Sequence, residues 1–369
     1  MLTRQTFLRA GVGLTGVSLV LPALKACAPT TAETYPAAVQ RIWHPAAQVP
    51  ADQAALQREL VRYATLAPSG HNTQCWKFHV APSTISIVPD LTRRTPVVDP
   101  DDHHLFVSLG CALENMAQAS VANGLISLAQ FDAATDVLTV KLEATTPLRS
   151  PLFQAISDRQ CTRGLYDGSL LSALELKTLQ LAGNGNGVRV VLFTVKSEIE
   201  KLLELVTQGN TTQVTDPAFI KELKHWLRFG ANEAVQSGDG LYSATSGNPS
   251  APRWLGSPMF DIMFSAKSEN DKYAAQVRSS AGIAVFVSET NDKAHWIEAG
   301  RCYERFALQA TALGIRNAML NQAVEVPSQR QKLADFLGVQ GGRPDLVVRF
   351  GRGAKMPSSL RRRLDDVLI

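Results

Sequence analysis

The sequence predicts an α+β fold in which two related halves carry mixed or antiparallel sheets flanked by helices. Helical and strand-like segments follow one another without the strict alternation of a parallel α/β fold. A long apolar helix that is closed by glycine and followed by a strand-like run also occurs twice. The two copies end in A-N-G-L at residues 122–125 and in A-L-G-I at residues 312–315. Such self-similarity indicates a duplicated domain, and we place the halves at residues 51–150 and 151–369.

Composition excludes several classes of protein. The 369 residues are 45% hydrophobic and 19% charged, as in ordinary globular proteins, with enough chain for two domains. The net charge of +4 comes with no basic run that carries interleaved aromatics, so we expect no nucleic-acid partner. The D-D-H-H string at residues 101–104 is interpreted as a helix start and not as a metal cluster, because adjacent side chains cannot all face one ion. We expect no metal site.

The five cysteines show neither a C-x-x-C motif nor metal-ligand spacing. Without Cys27, four remain, which allows two disulfides by number alone. Cys111 and Cys302 fall in helices that are predicted to be buried, so we interpret them as small core residues. Cys75 and Cys161, with His71 nearby in the chain, are not expected to act as catalytic thiols.

The N-terminal 27 residues are predicted to be a signal peptide. Arg4 and Arg9 precede an apolar run over residues 10–24. This run is short for a membrane span and typical of an export signal. Residues 3–9 resemble a twin-arginine signal, with Gln5 in place of the second arginine. Residues 24–27 resemble a lipobox that ends in Cys27, so a membrane tether through this cysteine is an open alternative. We predict an exported protein, periplasmic or in the cell envelope, with residues 28–50 as a linker rich in Pro, Ala and Thr.

The first half opens with an amphipathic helix over residues 51–66, with apolar side chains at helical spacing. Two short strands are predicted at 77–80 and 85–88. A buried helix over 105–123 follows, closed by Gly124. A strand at 125–131 comes next.

The second half begins with a capping box, Ser172 with Glu175, for a helix that reaches about residue 181. Residues 231–258 are rich in Gly, Ser, Pro and Asn, and we interpret this stretch as an insert without regular structure that closes over a site as a lid. The other predicted elements are strands at 188–194, 282–288, 315–320 and 346–350, and helices from 197, from 217, over 295–313 and over 326–337.

Two further motifs carry the functional prediction. Residues 67–78, A-P-S-G-H-N-T-Q-C-W-K-F, place small polar residues before two aromatics. This composition is compatible with an ordinary turn and with a loop on which a flat ligand rests. The string resembles the P-S-x-x-N-x-Q-P-W motif of the FMN-dependent nitroreductase family, with Cys75 in place of proline. Residues 159–163, R-Q-C-T-R, are similar to the phosphate-binding R-x-S-x-[KR] motif of the same family, with Cys161 in place of serine.

The resemblance implies a nitroreductase-like fold and FMN as the cofactor. In this family the two motifs meet from different subunits of a homodimer. Here the first half carries only the loop and the second half only the phosphate motif, with residues 181–187 in the position of the missing loop. The resemblance therefore implies two fused halves that form a pseudo-dimer within a monomer, as in the tandem-domain, Acg-like branch, with one competent FMN site and one degenerate site.

The resemblance also assigns roles to ten residues. The phosphate is expected near two arginines and a thiol, the pyrimidine edge of the flavin near a third arginine, the ring edge on the loop, and the reactive N5 near the residues after the second central helix. Composition alone favours a solvated tail for the C-terminal arginines at 361–363. The cofactor-binding set is Pro68, Ser69, Asn72, Arg159, Cys161, Arg163, Asn321, Gln322, Arg361 and Arg362.

Three hypotheses of function remain open from the sequence. The first is an oxidoreductase that passes two electrons from a small-molecule donor to a nitroaromatic, quinone or similar acceptor, with the chemistry on FMN and no catalytic side chain. The second is an exported protein that sequesters flavin without turnover. The third is an exported solute-binding lipoprotein whose motifs are coincidental.

Overall fold

The computed structural model describes residues 33–45 and 52–369. The predicted signal peptide at 1–27 lies outside the described residues. The α+β class is confirmed, with helices packed on antiparallel sheets. The helices are α1 (Tyr35–Ile42), α2 (Gln53–Thr65), α3 (His103–Ala122), α4 (Pro151–Ala155), α5 (Ala173–Gly183), α6 (Lys196–Val214), α7 (Pro217–Trp226), α8 (Ala231–Ser237), α9 (Arg253–Met263), α10 (Ala266–Arg278), α11 (Lys293–Ala312), α12 (Gln322–Glu325) and α13 (Pro327–Leu337). The strands are β1 (Trp76–Ala81), β2 (Thr84–Pro89), β3 (Leu125–Asp132), β4 (Val137–Ala144), β5 (Val188–Phe193), β6 (Leu227–Arg228), β7 (Leu241–Tyr242), β8 (Gly282–Ser288), β9 (Arg316–Met319) and β10 (Arg343–Gly351).

Two four-stranded sheets share one topology. The first sheet has the order β1-β2-β4-β3 and the second β5-β8-β10-β9, and every neighbouring pair in both is antiparallel. In each sheet a 20-residue helix joins the second strand of the set to the third, α3 in the first sheet and α11 in the second. The repeated motif of the sequence is therefore the end of this helix and the strand after it.

The two long helices pack against each other through a reciprocal pair of glycines. A Cβ built on Gly110 would lie 1.9 Å from the carbonyl oxygen of Ile297, and a Cβ on Gly300 would lie 1.9 Å from the carbonyl oxygen of Val107. Gly300 lies 190 residues after Gly110, and Ile297 lies 190 residues after Val107, so the two contacts are equivalent and α3 and α11 meet in a nearly two-fold arrangement. Helix α3 is apolar and long enough to cross a membrane, but 83% of its apolar window is buried inside the protein.

The halves differ most between their first two strands. Strands β1 and β2 are joined by a two-residue turn at 82–83, whereas β5 and β8 are separated by residues 194–281, which hold α6 to α10 and the β6–β7 pair. The stretch predicted to lack regular structure, 231–258, contains α8, β7 and the start of α9. That part of the expectation is wrong: short elements form there because Gly238, Gly240 and Gly247 adopt positive φ and break the chain into turns.

Both termini of the described chain pack on the body. The C-terminal residues 352–369 cross to the first half, where Leu368 pairs with Phe78 of β1. Helix α1 lies within the predicted linker, so that segment is not a free tether over residues 35–42. The Trp43 indole that follows α1 donates to the Ser359 carbonyl (2.9 Å), and the ring of Tyr35 packs 5.0 Å from that of Tyr242. Apolar and aromatic side chains at helical spacing in α1 explain why it docks and does not remain extended.

Candidate functional site

A cavity of about 780 Å³ lies between the two halves. Its inner wall is formed by the loop before β1, by α3, by the segment after α4 and by the turn after β9. Its outer wall comes from the long segment between β5 and β8. The inner wall is mostly polar, whereas the outer wall is rich in Phe, Leu and Met. The residues used below are Pro68, Ser69, His71, Asp99, His104, Cys111, Cys161, Arg163, Asn321, Gln322 and Glu325 on the inner wall, and Ser246, Asn248, Leu255, Gly256, Met259, Phe260, Met263, Lys272 and Tyr273 on the outer wall.

The loop of the first motif has a strained backbone. His71, Asn72 and Gln74 all have positive φ, of 48°, 54° and 53°, in the left-handed region that non-glycine residues seldom adopt. The Ser69 hydroxyl accepts a hydrogen bond from the Gln74 amide at 2.9 Å, which closes the turn. Ser69 and His71 thereby face the cavity. Backbone strain that is held by so many contacts is typical of functional loops.

Side chains from two distant segments hold the loop in this conformation. The Asn72 amide donates to the carbonyl oxygens of Gly240 (3.0 Å) and Leu360 (3.2 Å). The side-chain NH₂ group of Gln74 donates to the backbone carbonyl of Gly238 at 2.9 Å. Asn72 does not line the cavity. Its predicted role as a ligand contact is therefore not what the structure shows; it ties the loop to the insert and to the C-terminal segment.

Six of the ten residues predicted to bind the cofactor line the cavity, and they come from both halves: Pro68, Ser69, Cys161, Arg163, Asn321 and Gln322. The structure does not bring Asn72, Arg159, Arg361 or Arg362 to it.

Arg159 is buried behind the cavity wall. Its guanidinium forms an ion pair with Glu304 (3.0 Å) and donates to the Leu66 carbonyl at the end of α2 (2.9 Å). Both side chains of the ion pair are almost completely buried, and burial raises the pKa of Glu304 to about 7. Arg159 thus makes structural contacts within the protein, and its predicted phosphate contact stays a prediction. Sequence spacing gives no sign of this, because Glu304 lies 145 positions away in the chain.

The C-terminal arginines also bind protein atoms. Arg361 is buried, and its guanidinium donates to the carbonyls of Thr65 (2.8 Å), Leu66 (2.9 Å) and Ala67 (3.1 Å), the last turn of α2. Burial and the nearby Arg159 lower the pKa of Arg361 to about 9. The backbone amide of Arg362 donates to the Gln74 side chain. A cation at a helix C-terminus satisfies carbonyls that have no partner within the helix, so a solvated tail does not describe Arg361.

Arg163 connects the inner wall to the outer wall. Its guanidinium lines the cavity and donates to the Ser246 hydroxyl at 3.1 Å. Lys272 likewise faces the cavity and donates to the Asn248 side chain at 3.4 Å. Arg163 and Lys272 are the two cationic side chains among the described cavity-lining residues. Both hold the 243–250 segment in place.

Burial sets the protonation of several groups in the cavity wall. Burial and the charge of Arg163 lower the pKa of His71 to about 4, so this imidazole is neutral at pH 7. Burial raises the pKa of Asp99 to about 7 even though its carboxylate accepts the amides of His104 and Leu105 at the start of α3. Burial also raises the pKa of Glu325. These wall residues were not predicted, although His71 stands inside the recognised motif and was the one available signal.

The ligand atoms of Asp99, His103 and His104 lie within 4.8 Å of one another, a spacing that suits a metal. The hydrogen bonds argue against this role. The side-chain oxygen of Asn321 accepts a hydrogen bond from the backbone amide of Val347. The side-chain NH₂ group of Asn321 therefore faces Nε2 of His104 (3.3 Å). This Nε2 is then the acceptor and Nδ1 carries the proton, which leaves no lone pair toward Asp99. Asp99 instead caps α3, in line with the predicted helix start at residues 101–104.

A cluster of charged side chains lies between α3, α11 and residues 181–187. Glu114, which corresponds to Glu304 across the helix pair, accepts Arg301 (3.2 Å) and Arg305 (3.0 Å). Arg305 also donates to the Asn184 carbonyl (3.2 Å), within the segment that stands in place of the missing loop. A Cβ on Gly185 would lie 2.3 Å from Glu298, so this segment packs directly on α11.

The cysteines occupy core or wall positions. Cys75, Cys111 and Cys302 are buried and Cys161 is half-buried, and all four are free thiols. Burial raises the pKa of Cys75 and of Cys302 to about 12. Buried thiols of this kind are unreactive, which confirms the interpretation of Cys111 and Cys302 as small core residues.

Sequence comparison finds relatives that span most of the chain. Proteins from two strains of Mycobacterium tuberculosis, whose names assign them provisionally to the NAD(P)H nitroreductases, are 25% identical over 327 residues, which cover 84% of this chain and 90% of theirs. The chain is similar to nitroreductases over most of its length. This similarity supports the family resemblance that the two motifs imply. No family model matches the chain.

Solved structures give more distant similarities. The FMN-dependent nitroreductase NfnB from Mycobacterium smegmatis, in complex with NADPH, aligns with 58% of this chain and 96% of its own at 12% identity and a TM-score of 0.38. A nitroreductase with bound FMN from Bacteroides fragilis aligns with 58% and 94% at 14% identity and a TM-score of 0.35.

Proposed function

We propose that this chain is an FMN-binding oxidoreductase of the nitroreductase type, with one composite site between two fused halves that act as a pseudo-dimer. The observation that carries the proposal is that both motifs reach the same cavity. Ser69 of the first motif and Arg163 of the second line it from opposite halves. The curated relatives named as nitroreductases and the FMN-bound nitroreductase structures support the same assignment.

The residues of the cavity fit FMN in their chemistry. The phosphate and ribityl chain need cationic and hydroxyl donors, which Arg163 of the inner wall and Lys272 and Ser246 of the outer wall can supply. The flavin ring needs a flat, partly apolar slot with a few polar contacts at its edge. Ser69 and the strained loop that carries it lie on the inner wall of the cavity. In this fit Arg163 would bind the phosphate in place of the first arginine of the family motif, because that arginine, Arg159, forms an ion pair with Glu304.

When bound, FMN supplies the two-electron chemistry, and the protein supplies orientation and charge. Arg163 would hold the phosphate, and His71, which is neutral at pH 7, would add no positive charge to the inner wall. Residues 243–258, which belong to the predicted lid, line the opposite side of the cavity together with the rest of α9. A small-molecule donor and an acceptor such as a nitroaromatic or a quinone would use this site in turn.

The deciding experiment counts flavin on the purified chain and titrates the flavin-free protein with FMN. We expect roughly one FMN per chain, and a loss of affinity of at least tenfold for Arg163→Ser, since a charge-assisted contact is worth about 1.5–3 kcal/mol. Arg278→Ser is the matched control, because Arg278 is exposed and pairs with Glu200 away from the cavity. A chain that binds no FMN, or an equal loss in both variants, would overturn the proposal.

The second candidate function is flavin sequestration without turnover. It is favoured by the outer wall, because Arg163 and Lys272 hold the 243–250 segment across the cavity. Anaerobic addition of NAD(P)H to the FMN-loaded chain separates the two functions. Rapid bleaching of the flavin band supports the oxidoreductase, and a band that persists while flavin stays bound supports sequestration.

We further propose that the protein is exported, since residues 1–27 have the pattern of a signal peptide. Cell fractionation of the native chain tests this, and recovery of the full-length protein in the cytosol alone would contradict it.

A further inference from the structure

Helix α9 is apolar on two sides. Its inner side, with Gly256 and Phe260, faces the cavity. Its outer side exposes Trp254 (76%) and Ile262 (84%) to solvent. A helix that is apolar all round is normally buried all round. Among the described residues, nothing covers the outer side.

The outer side is also uncharged. Trp254, Pro258 and Ile262 follow one another at the four-residue spacing that forms a single row on a helix. The charged residues of α9 are both neutralised: Arg253 pairs with Glu233 (2.6 Å) and Asp261 with Lys224 (2.7 Å). An apolar row with an exposed tryptophan and no free charge is typical of a surface that meets the interface of a lipid bilayer.

We infer that the outer face of α9, defined by Trp254, Pro258 and Ile262, docks on a lipid bilayer. By itself this face is too small for a stable interface with a second copy. Eleven residues of helix are about 16 Å long and present a width of about 10 Å, or about 160 Å². A specific protein interface buries about 800 Å² on each partner. A bilayer has no such minimum, because each inserted side chain contributes by itself.

The position of the predicted leader agrees with a membrane nearby. Cys27, where the leader is predicted to end, stands eight residues before Tyr35, a span of about 28 Å when fully extended. Tyr35 packs on Tyr242, and the Tyr242 hydroxyl bonds to Ser250, shortly before α9. A chain tethered through its N-terminus would therefore hold the segment that carries α9 within reach of the membrane. The docking itself does not depend on FMN binding.

Because the charges around α9 are paired, docking by apolar insertion can be distinguished from docking through a basic surface. Docking that depends on apolar insertion needs no anionic lipid and is insensitive to salt, unlike docking through a basic surface. Binding to phosphatidylcholine vesicles should therefore change less than twofold between low and high ionic strength, or when anionic lipid is added.

The experiment measures quenching of tryptophan fluorescence in the full chain by vesicles of phosphatidylcholine with brominated acyl chains. This readout is local, so vesicle binding through the leader does not obscure it. We expect most of the quenchable emission to vanish in Trp254→Phe. In Ile262→Asp the lipid concentration for half-maximal quenching should rise about tenfold. Leu170→Asp is the matched control, since Leu170 is equally exposed (80%) on another surface, and it should leave quenching unchanged.

Each other outcome would overturn the inference. Quenching that is the same in wild type and Trp254→Phe would place the lipid contact elsewhere. Trp254 emission that is shifted to the blue without vesicles, independent of protein concentration, would mean that the chain's own N-terminal segment covers α9. A shift that grows with protein concentration would mean that a second copy covers it.

Discussion

The contact between Gly110 and Gly300 makes a sharp prediction about stability. Alanine at either position would place a Cβ 1.9 Å from a backbone oxygen of the facing helix, where ordinary contacts begin at 3.4 Å. Since the obstacle is main chain and not a flexible side chain, α3 and α11 would have to separate locally by about 1.5 Å, the difference between these two distances. These helices form the centre of the core, so their separation loosens packing on both sheets.

The magnitude follows from two opposing effects. Alanine is about 1 kcal/mol better than glycine inside a helix, whereas overpacking in a dense core costs about 1–3 kcal/mol, and more when backbone must move. We expect Gly110→Ala and Gly300→Ala each to lower the free energy of unfolding by about 3 kcal/mol. The same separation relieves both contacts. The double variant should therefore lose about as much as one single variant, and not the sum.

Urea unfolding followed by circular dichroism measures all three variants. Gly70→Ala is the control, because no atom lies within 4 Å of a Cβ at that position, and its free energy of unfolding should change by less than about 1 kcal/mol. Additive losses in the double variant, or an increase in stability in either single variant, would refute the reciprocal packing and with it the two-fold arrangement of the central helices.

Two more predictions concern the walls of the cavity. Asn72→Ala should lower the free energy of unfolding by about 2–4 kcal/mol, because it removes hydrogen bonds to Gly240 and Leu360 and places alanine at φ 54°. Urea unfolding measures this loss. A loss no greater than that of Asn248→Ala would contradict the prediction. Asp99 has a pKa of about 7 in the folded protein, against an ordinary value of 3.8. The folded state therefore binds more protons than the unfolded state between pH 4 and 7. As the pH rises through that window, the contribution of Asp99 to stability falls by at most about 4 kcal/mol. Asp99→Asn should remove that slope from the pH dependence of unfolding, and an unchanged slope would show that Asp99 titrates normally.

Some of the site was predictable because short motifs encode local structure. The P-S-x-x-N-x-Q string predicted a tight loop before a strand, and the loop stands there with Ser69 facing the cavity. Arg163 and the residues after the second central helix, Asn321 and Gln322, also line it. The protein contacts of Arg159 and Arg361 were not predicted. Arg159 pairs with Glu304, and both arginines donate to carbonyls at the end of α2, far away in the chain. No spacing rule reveals which cation a buried carboxylate will attract.

The sequence by itself determined the class and the repeat. Hydrophobic periodicity specified the two long helices and most of the strands, since helices and strands need apolar faces at fixed spacing. Strand β4 (Val137–Ala144), although its alternation of apolar and polar residues was present, was not predicted. Only the tertiary structure decided that the glycines of α3 and α11 meet, that Glu304 takes Arg159 away from the cavity, and that residues 194–281 build its outer wall. Such pairings depend on which surfaces approach in space, and that is set by the whole core and not by local preference.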